Sequence, residues 1–313
     1  MPNSTFDKFF LNLPPFDRES DFVSFWDKAY SEIKKVSLNA SVQQEKPSSG
    51  KFGKARLSYK SFLKVQITGT LLVPKKAEHP PVVIVVHDYN SKPEINEDLL
   101  DETLAYFFIL LRGHGILDEV EIEAGEVDAS PGYLIENILD KESYYLKAVY
   151  LDVLRAIDAL RLVAKLNCAK IGIVGKGLGA AAAMFAATKS ERVVALALHT
   201  PSFCYLQRSQ NESDGFVARE INDYIAADKA NRSRIKQNLS YFDAMNFADM
   251  INCPVLATVG FKDTISPPAC VFALFNHLLC EKTIEVYPEE GNTAGGDGQM
   301  KKSLAWIKKL LIG

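Results

Sequence analysis

Short runs of consecutive apolar residues alternate along this chain with longer segments in which apolar residues recur at helical spacing. The runs lie at residues 82–86, 106–111, 171–174, 193–198, 255–259 and 283–287. The helical segments lie at residues 143–166, 180–187, 268–279 and 301–312. Continuous Val, Ile and Leu runs joined by helices are typical of parallel strands that are buried on both faces of a sheet. The pattern therefore predicts an α/β fold, with a mostly parallel central sheet and helices on both faces.

The first part of the chain follows other patterns. Residues 18–35 place aromatic and aliphatic side chains at helical spacing, which predicts a helix. Residues 37–54 are polar and contain Pro and Gly, which predicts a loop, and residues 55–74 alternate well enough for two strands. We expect a single domain over residues 1–313, in which an N-terminal helical and strand extension (1–54) precedes the main core (55–313).

Composition narrows the classes of function. The chain has 313 residues, of which 47% are hydrophobic and 24% charged, as in ordinary globular proteins. A net charge of -3 gives no basic excess, so we expect no nucleic-acid partner. The first residues lack the charged and apolar regions of a signal peptide. Because no apolar run reaches membrane-spanning length, we expect no membrane association and a cytoplasmic location.

Neither the cysteines nor the acidic residues suggest a metal site. The five cysteines are scattered, and none lies in a C-x-x-C pair or beside histidines at metal-binding spacing. We therefore expect buried, reduced thiols. The acidic stretch at residues 118–128 contains no His and is expected to be an exposed loop. No cofactor is expected.

A glycine-rich turn at residues 170–180 carries the most informative motif, Lys-Ile-Gly-Ile-Val-Gly-Lys-Gly-Leu-Gly-Ala. An apolar strand runs into the turn and an alanine-rich helix follows it. In an α/β-hydrolase this turn reads Gly-x-Ser-x-Gly, and its middle residue is the nucleophile. Here the middle residue is Gly177. The sequence thus predicts the scaffold of a hydrolase without its nucleophilic atom.

The same glycines allow two other interpretations. Residues 175–180 fit the dinucleotide-binding fingerprint, but that site needs an acidic residue at the end of the next strand. That strand is followed by His199, Thr200 and Pro201. The glycines also permit a tight strand-to-helix turn whatever the function.

Two downstream positions favour the hydrolase interpretation. The nucleophile of an α/β-hydrolase is followed along the chain by the catalytic acid and then by the histidine. Asp263 comes directly after the strand at 255–259, where the acid is expected. Asn292 follows the strand at 283–287, where the histidine is expected.

Several segments in the same order resemble the acetyl xylan esterase and cephalosporin C deacetylase family, carbohydrate esterase family seven. The segment His87-Asp-Tyr-Asn is similar to the family's His-Gly-Tyr loop, and Arg112-Gly-His-Gly is similar to its Arg-Gly-Gln-Gly motif. Further similar segments are Phe22-Val-Ser-Phe-Trp-Asp, the helix at residues 144–156, residues 239–249, Cys253-Pro-Val-Leu and Pro267-Pro268. The resemblance covers most of the chain.

The resemblance implies an α/β-hydrolase fold, assembly into hexamers or dimers, and a small acetylated sugar or acyl compound as ligand. Position by position, Gly177 stands at the nucleophile, Asp263 at the triad acid and Asn292 at the triad histidine. The oxyanion donors would be the backbone N–H groups of Tyr89 and Leu178. Two of the three triad side chains are therefore replaced.

These replacements lead to three hypotheses. Glycine has no group that attacks an acyl carbon, and Asn292 cannot act as a general base, so the first hypothesis is a pseudoenzyme that binds a ligand or a partner. The second is an active carboxylic-ester hydrolase with a nonstandard nucleophile, or with water activated by Asp263. Candidates for such substitute chemistry are Lys176, His199 and Ser202, although ordinary structural roles are favoured for all three. The third and weakest is nucleotide binding through residues 175–180.

Overall fold

The computed structural model describes residues 5–45, 50–114 and 132–313, and within these residues nine strands form one continuous sheet. In sheet order the strands are β1-β2-β3-β5-β4-β6-β7-β8-β9. The six strands from β4 to β9 run parallel to one another, whereas β1, β2 and β3 pair in antiparallel fashion at one side. The strands are β1 (Ser41–Gln44), β2 (Phe52–Lys60), β3 (Gln66–Pro74), β4 (Pro81–Val86), β5 (Ala105–Leu110), β6 (Asn167–Lys176), β7 (Val193–His199), β8 (Val255–Gly260) and β9 (Lys282–Tyr287).

The described part of the chain also forms nine α-helices. They are α1 (Thr5–Phe10), α2 (Phe22–Lys34), α3 (Tyr145–Leu160), α4 (Leu178–Lys189), α5 (Leu206–Glu212), α6 (Phe216–Ala227), α7 (Arg232–Ser240), α8 (Pro268–His277) and α9 (Gly296–Ile312).

Helices cover both faces of the sheet. Successive side chains of a strand point to opposite sides, so each strand contributes to the packing on both faces. On β6, Ile173 packs into the large core that also holds α2, α3 and α4. The next residue, Val174, packs into a second core on the other face, against Leu304 and Ile307 of α9. Both faces of the parallel strands are thus apolar, which confirms the predicted α/β architecture with a mostly parallel sheet.

Two predictions about secondary structure need correction, and several helices were not predicted. The segment 37–54 is not a loop throughout, because β1 pairs with β2 and β2 already begins at Phe52. All four side chains of β1 are exposed, so the strand has no apolar alternation that the sequence could show. The predicted helix 143–166 ends at Leu160, and helices α5, α6 and α7 between β7 and β8 were not predicted.

Arg112 ties the chain just after β5 to α3. Its guanidinium binds the carboxylate of Asp152 in a bidentate pair, with Nε–Oδ2 and Nη2–Oδ1 distances of 2.6 and 2.7 Å. Asp152 is fully buried and Arg112 is nearly so. Burial raises the pKa of Asp152, while the adjacent guanidinium opposes that rise. A buried ion pair therefore fixes the chain at Arg112 to α3.

The remaining expectations concern cysteines, membranes and the acidic stretch. All five cysteines are described and none forms a disulfide; three are buried, but Cys168 and Cys280 are only partly so. No helix among the described residues is long and apolar enough to cross a membrane. The acidic stretch at 118–128 lies outside the described residues.

Removing the cation of the Arg112–Asp152 pair should destabilise the protein strongly. Arg112→Met leaves a fully buried carboxylate without its partner, so we expect a loss of about 3–5 kcal/mol in the free energy of unfolding. The matched control is Arg208→Met, which removes the cation of an exposed i,i+4 pair with Glu212 and should cost no more than about 0.5 kcal/mol. Urea denaturation measures both, and equal losses would contradict the prediction.

Candidate active site

The candidate site lies at the carboxyl ends of the parallel strands. Strands β4 and β6 are neighbours in the sheet, so the loop after Val86 and the turn after Lys176 meet at the same edge. Gly177 forms that turn with φ 51° and ψ -113°, and α4 begins at the next residue. This left-handed conformation is open to glycine and strained for other residues. The sharp strand-to-helix turn that the sequence predicts is therefore present.

The carboxylate of Asp88 fills the space directly above Gly177. A Cβ atom built on Gly177 would overlap Oδ1 and Cγ of Asp88. Oδ1 accepts hydrogen bonds from the backbone N–H groups of Tyr89 and Leu178, at 2.7 and 2.8 Å. We call these two donors the N–H pair. The two groups that the sequence predicts as oxyanion donors thus converge on one point, and a carboxylate of this chain occupies it.

Sequence reasoning missed this role of Asp88. The residue lies in the His87-Asp-Tyr-Asn segment, in the place where the resembling family has Gly. That departure was the available signal. It carried no meaning alone, because the contact joins residues 90 positions apart along the chain.

The electrostatic setting of Asp88 combines opposing influences. Burial raises the pKa of its carboxyl, the N–H pair and the charge of Lys176 lower it, and nearby Asp263 raises it further. The net shift is upward. While Oδ1 takes both backbone donors, Oδ2 accepts no hydrogen bond from the part of the chain that the structure describes. Among these residues, one oxygen is therefore fixed and the other has no donor.

Asp263 and Asn292 lie together, as the order of the motifs predicts. Asp263 Oδ1 accepts hydrogen bonds from the backbone N–H groups of Ile265 and Ser266 at 2.8 and 2.9 Å. The side-chain amide of Asn292 donates to Asp263 Oδ2 at 3.4 Å and to the Thr200 hydroxyl at 3.3 Å. Burial raises the pKa of Asp263. Asn292 satisfies the carboxylate but has no basic nitrogen to take a proton.

Lys176, His199 and Ser202 do not form a substitute nucleophile and base. His199 Nε2 lies 2.8 Å from the hydroxyl of Ser303 in α9, which is fully buried and cannot reach a substrate. Burial lowers the pKa of His199 to about 4, so the ring is neutral. Ser202 Oγ is buried and makes no hydrogen bond within the described residues. The structural role expected for His199 fits this geometry.

A cavity of about 310 Å³ opens beside the N–H pair. Asp88, Lys176, His199, Ser202 and Asn292 all contribute to its wall. Apolar side chains make up the larger part of the rest, among them Val217, Ile265 and Met300. Its volume is at the lower end of the range for small-molecule sites. Most of the residues singled out from the sequence therefore surround one cavity.

His87 supports the loop that carries Asp88. Its Nδ1 donates to the Asp88 carbonyl at 2.7 Å, and its Nε2 accepts from the Leu111 N–H at 3.0 Å. These partners define a neutral ring with the proton on Nδ1. Burial lowers the pKa of His87 to about 4. These contacts give His87 a structural role.

Two further observations bear on metals and nucleotides. Across residues 5–45, 50–114 and 132–313, no three His, Cys, Asp or Glu side chains are grouped to hold a metal ion. The start of α4, where a nucleotide phosphate would bind, already holds the Asp88 carboxylate. A phosphate would have to displace that carboxylate, which disfavours the nucleotide hypothesis.

Comparison with known proteins gives consistent matches. The family model for acetyl xylan esterase (AXE1) matches residues 13–310. The acetyl esterase Axe7A of Xylanibacter ruminicola is 26% identical over 312 residues, covering 95% of this chain and 69% of the relative. The structure of an acetyl xylan esterase from a Paenibacillus species superimposes with a TM-score of 0.86 at 26% identity, covering 99% of this chain and 100% of that one. Acetyl xylan esterase 1 from a Thermoanaerobacterium species shares the fold, with a TM-score of 0.83 at 22% identity over 97% and 98% of the two chains.

A side chain at position 177 should be tolerated better when Asp88 is absent. Gly177→Ala adds about 1–3 kcal/mol of backbone strain and about 1–3 kcal/mol of overpacking against the carboxylate. In an Asp88→Gly background the overpacking disappears, so we expect a coupling energy of about 1–3 kcal/mol between the two substitutions. Urea denaturation of the four proteins in this cycle measures it.

The control for this cycle is Gly298→Ala in α9, where a Cβ would meet no atom within 4 Å. It should change stability by less than about 1 kcal/mol in both backgrounds. Strictly additive effects of Gly177→Ala and Asp88→Gly would refute the overlap.

Acidification should destabilise the protein through His87. Its pKa is about 4 when folded and near 6.5 when unfolded, so the unfolded chain binds the proton first as the pH falls. The contribution of His87 is complete above pH ~6.5 and is lost as the pH falls towards 4, a loss on the order of 3 kcal/mol. NMR titration of the ring should give a midpoint near 4, and His87→Gln should flatten the stability profile over that range. A ring midpoint near 6.5 would contradict this reading.

Proposed function

The chain belongs to the acetyl xylan esterase family, and on that premise we propose that it is a member without triad-based ester hydrolysis that instead binds a ligand in the cavity beside Gly177. The observation that carries the proposal is the carboxylate of Asp88, which takes both donors of the N–H pair and covers Gly177. Three features of the site support the proposal: the residue at the nucleophile position, the residue at the histidine position, and the occupied N–H pair.

The triad reaction needs a nucleophile, a base and vacant donors for the negative charge that develops on the acyl oxygen. Gly177 supplies no nucleophile. Asn292 supplies no base, although it keeps the hydrogen bond to Asp263 that a histidine would make. The N–H pair is not vacant, because a carboxyl oxygen of the chain itself already binds there. A developing oxyanion would therefore find its position already filled.

The ligand class follows from the relatives. Their names describe esterases that act on acetyl groups, with xylan as the carbohydrate. The corresponding expectation for this chain is a carbohydrate-related ligand, bound where the relatives bind their substrate.

Three changes together should be needed to restore hydrolysis. We expect the native chain to hydrolyse p-nitrophenyl acetate and acetylated xylobiose at no more than about 10³ times the uncatalysed rate, because loss of a triad nucleophile or histidine lowers kcat on the order of 10⁶. The double variant Gly177→Ser with Asn292→His should remain inactive, since Asp88 occupies the space of the new hydroxyl. Adding Asp88→Gly should raise the rate by about 10² or more over the double variant.

The control is the triple variant with Asp263→Ala added, which should lose the regained activity. Rapid turnover of either ester by the native chain would overturn the proposal. Equal activity of the double and triple variants would show that Asp88 is no obstacle.

A further inference from the structure

The cavity contains polar groups that the described residues leave without partners. Oδ2 of Asp88 accepts no hydrogen bond there. Ser202 is 4% exposed, and its hydroxyl has no partner among the described residues. Lys176 forms no ion pair among the residues that the structure covers, although its charge lies near Asp88 and Asp263. An unpaired hydroxyl in a protein interior is unfavourable by about 1–3 kcal/mol unless water or a ligand completes it. These groups therefore point to an occupant of the cavity.

Asp88 itself resembles one half of the product of ester hydrolysis. Its Cβ and carboxylate together are an acetate group that is tethered to the backbone. Oδ1 lies between the N–H pair in the manner of an acyl oxygen in an oxyanion hole. A second acetyl group cannot enter this space. What remains vacant is the adjoining part of the cavity, where the alcohol half of an ester would lie.

We propose that Asp88 permanently fills the acyl subsite, so that the cavity binds an unesterified neutral polyol of mono- or disaccharide size and excludes its acetyl ester. The inference rests on the proposed function and specifies which form of the ligand the site takes. Oδ2 of Asp88 accepts a hydrogen bond from a ligand hydroxyl at the position that would carry the acetyl group in an ester.

The charges in the cavity wall favour a neutral ligand. Two carboxylates, Asp88 and Glu94, and two ammonium groups, Lys92 and Lys176, contribute to the lining, and His87 and His199 are neutral. Asp88, at the base of the cavity, disfavours an anionic ligand, and Lys176 disfavours a cationic one.

The chemistry of the unpaired groups favours hydroxyls in particular. When ionised, Asp88 only accepts through Oδ2, whereas Lys176 only donates and Ser202 does both. A hydroxyl group also does both, so several neighbouring hydroxyls satisfy this mixed set, whereas an ester oxygen can only accept. Replacing a hydroxyl by an ester leaves Asp88 Oδ2 without a donor and directs an acetyl group at the position that the Asp88 carboxyl group already occupies.

The test measures ligand selectivity by calorimetry on the full chain. We expect xylobiose to bind saturably and acetylated xylobiose to bind at least about tenfold more weakly, the factor for losing a hydrogen bond to a charged group. Asp88→Asn keeps the volume but removes the charge, and should weaken xylobiose binding about tenfold. Ser202→Ala should also weaken it, whereas Ser209→Ala should not, because that buried serine bonds to the Leu206 carbonyl outside the cavity.

Acetate ion is the probe for the filled subsite. Asp88→Gly exposes the N–H pair, so acetate should raise the Tm of this variant while leaving the native chain and Asp88→Asn unchanged. Equal affinity of the native chain for both sugars, no saturable binding of xylobiose, or no effect of acetate on Asp88→Gly would each overturn the inference. None of these results requires ester hydrolysis, whereas turnover of acetylated xylobiose by the native chain would instead overturn the proposed function.

Discussion

The hydrogen bonds from the N–H pair to the carboxylate of Asp88 determine how the rest of the site is arranged. They join the loop after β4 to the start of α4, across 90 residues of sequence. The first N–H groups of a helix have no partner within the helix and favour a negative charge. Here the partner is a side chain of the same protein. The position where a negatively charged oxygen of a ligand would otherwise bind is thus occupied by a side chain of the folded protein.

This contact makes Gly177 and Asp88 depend on each other. The carboxylate can reach the N–H pair because position 177 has no side chain, and position 177 accepts no side chain while the carboxylate is there. Glycine also adopts φ 51° without strain. Asn292 completes the set, because its amide donates to Asp263 without introducing a base. Asp88, Gly177 and Asn292 are thus compatible with one another. The site therefore differs from an esterase site by more than the loss of individual catalytic groups.

The sequence predicted what local patterns determine. Apolar runs at 82–86 and 255–259 gave the parallel strands, and the glycines around Gly177 gave the turn, since each depends on neighbours in the chain. Motif order was enough to bring Asp263 and Asn292 together. Strand β1 was missed because its exposed side chains carry no alternation. Asp88 was missed for another reason: its meaning comes from a contact with a distant turn, and the Asp in place of Gly in its own segment does not show where that contact lies.

The unpaired polar groups around the cavity distinguish a site that binds a different ligand from a site that binds none. A site without a ligand would gain stability if its polar side chains were replaced by apolar ones that fill the space, because unpaired polar groups and voids are both unfavourable. In this chain the cavity of about 310 Å³ remains, and the hydroxyl of Ser202 is buried in its wall without a partner. Lys176 places a charge near Asp88 and Asp263 at the same cavity. The proposed ligand accounts for the retention of these features, because it completes the polar groups and leaves the position of the Asp88 carboxyl group filled.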